Sequence, residues 1–267
     1  LNYAAREGTS PLGSAVEVEI RDARAADLPA WSVCGFELVR RPASVRDWTD
    51  DDEVATVHYP EVEEAACELT GCDVALVSDH VKRNAEPDQR ERREREQSPV
   101  GLVHSDFAAD YADVVRGAYR GVRGRGAATL ARSGLSADDV EGASRILMMQ
   151  FWRNLGPATM DYPVAFCDAR TVTVAEARPF RYTGYVAGGR SFDALAIVSP
   201  DPPSPHEWYV FPDMTADEVV AFRTYDTELV RDGRTHFTPH SAFRDPRVDV
   251  GRPARFSIEL RVMCLWL

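Results

Sequence analysis

The sequence predicts a mainly β protein with flanking helices, built on a double-stranded β-helix (jelly-roll, cupin-like) core. Three observations carry this. Short apolar or alternating runs recur throughout the 267 residues, separated by Gly, Pro and Asp. Few helical patterns lie among them, and no internal repeat or Pro/Gly-rich linker divides the chain, so residues 1–267 read as one domain.

The elements follow in order. "SAVEVEIRDAR" sets Val16, Val18 and Ile20 against Glu17, Glu19 and Arg21, the period of a half-buried strand. "GFELVRRP" predicts a second strand, stopped by Pro42. A helix opens at Pro60, carries Val62, Ala65, Ala66 and Leu69 on one face, and stops at Gly71. "DVALVSDH" is a buried strand. Residues 82–98 hold no large apolar side chain and mix both charge signs, predicting a solvated loop or exposed helix, or a lid over the strand that follows.

A helical region spans roughly 107–133 with a Gly/Arg-rich interruption, "RGVRGRGAA", which lacks the GxxxxGK[ST] form of a phosphate loop. Ser136 caps a further helix. "RILMMQFW", "PVAFCDAR", "FDALAIVSP", "EWYVFP" and "RFSIELRVMCLWL" are strands. "TADEVVAFRTYDTEL" reads as a helix among them, with Thr215 and Glu218 as its capping box.

Composition narrows the function. A net charge of −12 disfavours a nucleic-acid partner, because phosphates would be repelled. No apolar run approaches eighteen residues, and the N-terminus has no basic-then-apolar leader, so neither a membrane span nor a signal peptide is expected. Cys34, Cys67, Cys72, Cys167 and Cys264 have no CxxC spacing, which points to a reducing cytoplasm rather than a disulfide framework or zinc ribbon.

The chemistry concentrates at His104-Ser105-Asp106. Residues i and i+2 of a strand share a face, so His104 and Asp106 can ligate one ion while Ser105 turns away. An iron(II) site for oxygen chemistry needs a second imidazole and an open opposite face. His58 and His80 read as structural histidines, and His206, in "PPSPHEW", as exposed. His236 and His240 remain, and spacing does not choose between them. Fifteen residues beyond His240, Arg255 and Ser257 share a strand face, the fork and hydroxyl that a keto-acid carboxylate needs; Arg261 lies on that face too. A cupin-like metalloenzyme without a keto acid, or a non-catalytic small-molecule binding domain, fits the same pattern with fewer demands.

These residues resemble the CmcJ/NvfI-type (gibberellin desaturase-like) group of iron(II)- and 2-oxoglutarate-dependent oxygenases. The similarity runs through "GFELVRRPASVRDWTDDDEV", "VHSDFA", "FWRNLGPATMDYPVAFCDARTV", "HFTPHSAFRDP" and "RFSIELRVM". It implies His104, Asp106 and His240 as iron ligands, with His236 a neighbour, and Arg255 with Ser257 as the 2-oxoglutarate anchor. It also implies one oxygenase domain using iron(II), 2-oxoglutarate and O2. The reaction implied is oxidation of an unactivated C–H of a small molecule of specialised metabolism, by hydroxylation, desaturation or cyclisation. Where the group usually reads Asn-x-Trp-Arg-Pro, this chain has Gln150-Phe151-Trp152-Arg153-Asn154, so Gln150, Trp152 and Arg153 are the expected substrate contacts.

Overall fold

The structure is a computed structural model that describes residues 1–6, 13, 15–85, 96–120, 125–182, 192–200, 205–246 and 254–267. Two sheets face each other. One runs, in spatial order, β1 (Ile20–Asp22), β10 (Trp208–Val210), β7 (Val164–Cys167), β12 (His240–Ala242), β5 (His104–Ser105), β9 (Phe192–Ile197) and β8 (Ala177–Tyr182). The other runs β2 (Phe36–Arg40), β11 (Glu218–Asp226), β6 (Arg145–Asn154), β13 (Phe256–Trp266), β3 (Val74–Asn84) and β4 (Glu96–Gln97). This is the jelly-roll that the strand-rich pattern predicts.

Period-2 alternation assigns each long strand two jobs. Trp152, Val220, Phe222 and Phe36 project inward, where they meet Val164, Phe166 and Tyr209 of the opposite sheet. Their neighbours Phe151, Val219, Ala221, Ile258 and Leu260 project outward, beneath the helix Tyr59–Thr70. Both faces of these strands are therefore buried, which explains their nearly unbroken apolar composition. Two further helices, Tyr111–Tyr119 and Ala137–Gly142, bring Ala112, Val115 and Val140 against Leu76, Met148 and Met263. Ser136 caps the second with a complete capping box, as expected.

Four expectations need correction. The segment predicted as a helix from Thr215 is strand β11, paired on one side with β2 and on the other with β6. Buried on both faces, its apolar run satisfies helical and strand periods alike, and the β-branched Val219 and Val220 decide for the strand. The Thr215–Glu218 contact does form, with the Glu218 carboxylate accepting from the Thr215 N–H at 2.9 Å, but it closes a turn. Helix follows only over Thr227–Arg231.

The second correction concerns the charged block. Lys82, Arg83 and Asn84 are the buried end of β3, and Glu96–Gln97 pairs beside them as β4. Residues 86–95 of the expected lid, like 121–124 of the Gly/Arg-rich interruption, lie outside the described residues. Third, the expected first strand is regular only over Ile20–Asp22, although Val16, Val18 and Ile20 do bury against the core while Glu17 and Glu19 stay exposed. Fourth, helix begins at Asp51, capped by Asp50, rather than at Pro60. It widens to a π-helix over Val54–His58, immediately before the proline nitrogen that has no hydrogen to donate. No helix among the described residues is long and apolar enough to cross a membrane.

Candidate metal centre

Strands β5 and β12 are antiparallel neighbours, and His240 pairs directly with His104. Cross-strand partners hold their side chains on the same face, so the two imidazoles meet with ring centroids 4.3 Å apart. Asp106, two residues past His104, completes the group. One donor atom from each of His104, Asp106 and His240 lies within 4.8 Å of the other two, and all three residues are buried.

Hydrogen bonds fix which atoms face inward. His104 Nδ1 sits 2.8 Å from the Leu102 carbonyl, and His240 Nδ1 sits 3.2 Å from the Thr238 carbonyl. A carbonyl only accepts, so each Nδ1 carries the proton and each Nε2 presents a lone pair to the centre. Burial holds both rings neutral; it acts first on His240, with His104 adding to it, and takes that imidazole down to about 3. His104 is lowered for the same first reason.

The Asp106 carboxylate is held asymmetrically. Its Oδ2 accepts from Arg261 Nε at 2.9 Å and from the Gln150 amide. Its Oδ1 lies 3.7 Å from His104 Nε2 and faces the centre. Burial opposes its ionisation, but the Arg261 guanidinium, by its charge and its hydrogen bond, outweighs that and takes it down to about 2. Two neutral imidazoles and one carboxylate oxygen directed at a common point, with no fourth ligand grouped among the described residues, are the donor set that could hold a metal ion and that a facial oxygen-activating iron site requires.

Strand β13 extends this chemistry along one face. Ser257, Glu259 and Arg261 alternate inward, opposite Asn154, Trp152 and Gln150 of β6. Arg255 is 2 % exposed and donates from Nε to Ser257 Oγ at 2.9 Å and from Nη1 to the Tyr162 carbonyl at 3.3 Å. It has no salt-bridge partner among the described residues. Burial, reinforced by the Arg83 charge, lowers its guanidinium to about 9. The guanidinium lies 5.2 Å from the centre of the Trp152 ring, whose buried Nε1–H also lacks a partner among the described residues. A buried cation without a counter-ion beside an unused donor is a cradle for an anionic group.

Gln150, Trp152, Arg255, Ser257 and the triad thus come together. Arg153 does not. It pairs with Ile258 and Val219 on the outer face, donates to the Ala216 and Arg41 carbonyls, and lies over Trp48. His236 also stays apart, edge-on to Tyr225 and Phe237. His58 bonds Glu61, and His80 bonds Tyr59 and Asp51, as structural histidines do. His206, expected to be exposed, is buried with its ring beside the Tyr3 hydroxyl at 3.1 Å, because the N-terminal segment covers it.

Sequence reasoning missed a buried pair. Arg83 forks onto Glu259, at 2.6 and 3.0 Å, and also donates to the Ser98 carbonyl. The available signal was the Ser257-Glu259-Arg261 alternation, which places a carboxylate between two groups already assigned inward. Next to this site opens a cavity of about 810 Å³. Its wall includes Ser98 and Tyr162, whose carbonyls receive Arg83 and Arg255, and Ala242, on the same strand as His240.

Comparison with known proteins agrees with this chemistry. A family model described as "Oxidoreductase/YMDC permease-like domain" matches residues 4–265. The hydroxylase/desaturase efuI of Hormonema carpetanum is 28 % identical over 248 residues, covering 87 % of this chain and 77 % of that protein. The alpha-ketoglutarate-dependent dioxygenase phiK of a fungal species is 25 % identical, covering 93 % of this chain and 83 % of its own length. The solved structure of the iron and alpha-ketoglutarate-dependent endoperoxidase NvfI superposes with a TM-score of 0.71 at 22 % identity, over 93 % of this chain and 85 % of the other.

Proposed function

Since the chain belongs to the oxidoreductase/YMDC permease-like domain family, we propose that it is an iron(II)- and 2-oxoglutarate-dependent dioxygenase with His104, Asp106 and His240 as its metal ligands. The convergence of these three buried donors on one point, with both imidazole Nε2 atoms directed inward, is the observation that carries the reading. The residues fit the cosubstrate as well. The Arg255 guanidinium, with no ion-pair partner among the described residues, is a fork for the far carboxylate of 2-oxoglutarate, Ser257 orients that fork, and the Trp152 N–H offers one further bond.

Bound iron(II) with 2-oxoglutarate supplies O2 activation by oxidative decarboxylation, yielding succinate, CO2 and an oxidised C–H. This chain's residues do the rest. Arg261 and Gln150 occupy Asp106 Oδ2, which leaves Oδ1 for the metal. Leu102 and Thr238 fix the imidazole tautomers. Phe222, 4.8 Å from the His240 ring, and the surrounding core keep water from the far side of the ligands. The Glu259 carboxylate neutralises Arg83, so Arg255 is the cation left for an incoming carboxylate.

The substrate is a small organic molecule of specialised metabolism, entering from the side of the large cavity. Hydroxylation, desaturation and cyclisation are open to the same site, since the outcome depends on how the substrate carbon is held. A reducing cytoplasm is the proposed compartment, supported by five free cysteines. The test is succinate formation from 2-oxoglutarate under air by the iron-loaded protein. Formation that requires iron(II) and O2, and disappears in His240→Ala, is expected. No succinate from a folded, iron-loaded sample would overturn the cosubstrate assignment.

A further inference from the structure

A second concentration of positive charge lies away from the metal centre. A cavity of about 350 Å³ is lined by Arg170, Arg223 and Arg234 together with Ser32, Thr173 and Thr235, and among the described residues no carboxylate contributes to its wall. In a chain of net charge −12 this is an unusual local balance. Arg170 is neutralised, with its guanidinium forked onto the fully buried Asp168 at 2.6 and 3.0 Å. The other two arginines are not neutralised in this way.

Arg223 is only 3 % exposed. Among the described residues its guanidinium makes one hydrogen bond, from Nη1 to the Ser32 carbonyl at 3.2 Å, and its Nε has no partner. Asp226 acts on it electrostatically, but that carboxylate is held by a fork from Arg145 and caps the helix Thr227–Arg231. Arg234 adds a like charge to the same space and forms no ion pair among the described residues. Burying a guanidinium with open donors beside a second cation is costly unless an anion completes the arrangement.

We infer that this cavity is a binding site for a phosphoryl dianion, free phosphate or a small phosphate monoester. Two unneutralised guanidinium groups match a dianion, and their planar forks suit the tetrahedral oxygens. The space exceeds that of one phosphate group and accommodates a small organic substituent. The site is built on the segment 233–235, a few residues before Thr238 and His240 in the chain.

The experiment is calorimetric titration of the full chain with inorganic phosphate at constant ionic strength, before and after metal loading, followed by an alkyl phosphate and by succinate. Saturable one-site binding is expected in both metal states. Arg234→Ala, an exposed change that leaves the core untouched, should weaken it about tenfold, the scale of one charge-assisted contact. Arg223→Gln should abolish it, whereas Arg255→Gln and the exposed Arg40→Ala should leave it unchanged. Absence of saturation, equal loss in Arg40→Ala, or loss in Arg255→Gln would overturn the site. Binding of succinate to the Arg255→Gln protein, which lacks the dicarboxylate fork at the metal centre, as tight as that of phosphate would overturn the phosphoryl assignment. None of these outcomes depends on succinate production at the metal centre, so the two readings fail separately.

Discussion

Replacing Arg255 by Met tests the cosubstrate cradle where the structure is most specific. Arg255 is a buried cation whose bonds go to a hydroxyl and a carbonyl, with no anionic partner among the described residues. Truncating one member of a buried hydrogen-bonded charge pair costs about 2–5 kcal/mol. At about 1.4 kcal/mol per decade, 2-oxoglutarate affinity should fall by roughly 30-fold to several thousand-fold. The assay is anaerobic titration of the iron-loaded protein with 2-oxoglutarate, followed by the visible charge-transfer band of a chelated keto acid. A second readout comes from melting. Without 2-oxoglutarate the variant should melt close to the parent, since no ion pair is lost. With ligand at a hundred times the parent's Kd, the parent should gain about 2.7 kcal/mol and the variant no more than about 0.9 kcal/mol. Unchanged 2-oxoglutarate affinity, or loss of iron in Arg255→Met, would refute the reasoning.

Three further outcomes follow from the geometry. His240→Ala should abolish iron binding while His236→Phe retains it, as measured by metal content after gel filtration, because only His240 shares the donor group with His104. Gln150→Leu removes one of the two donors on Asp106 Oδ2, so iron affinity should drop by about 10–100-fold in a competitive chelator titration. Stability should fall on acidification. Burial takes His58 and His236 to about 4, against 6.5 when unfolded, so between those values the unfolded chain binds more protons. That stability is fully present above pH 6.5 and is lost toward pH 4, about 3 kcal/mol for each histidine; urea midpoints measured across this range check it, and His236→Phe should flatten the slope.

Much of this arrangement was legible in the residues because strand alternation is local. Arg255 and Ser257 share a face in the sequence and share a hydrogen bond in the fold. The step from His104 to Asp106 is likewise a two-residue matter. What the sequence hid is non-local. The direct pairing of His104 with His240 depends on how β5 and β12 align, and spacing left His236 and His240 equivalent. Arg83 was hidden among charges, although its buried partner Glu259 stands 176 residues away. Strand β11 was misread because burial on both faces erased the alternation that marks a strand. Trp152 and Arg153, neighbours in one motif, separate to opposite faces, so only Trp152 reaches the site.

If the proposed function holds, His104, Asp106 and His240 alone hold the iron ion and leave its other face open. The most direct measurement is an anomalous-diffraction map from crystals grown anaerobically with iron(II) and 2-oxoglutarate. One iron peak bonded to His104 Nε2, His240 Nε2 and Asp106 Oδ1 is expected, with the keto acid opposite them and its far carboxylate on Arg255. An iron peak elsewhere, or a fourth protein ligand closing the open face, would contradict it.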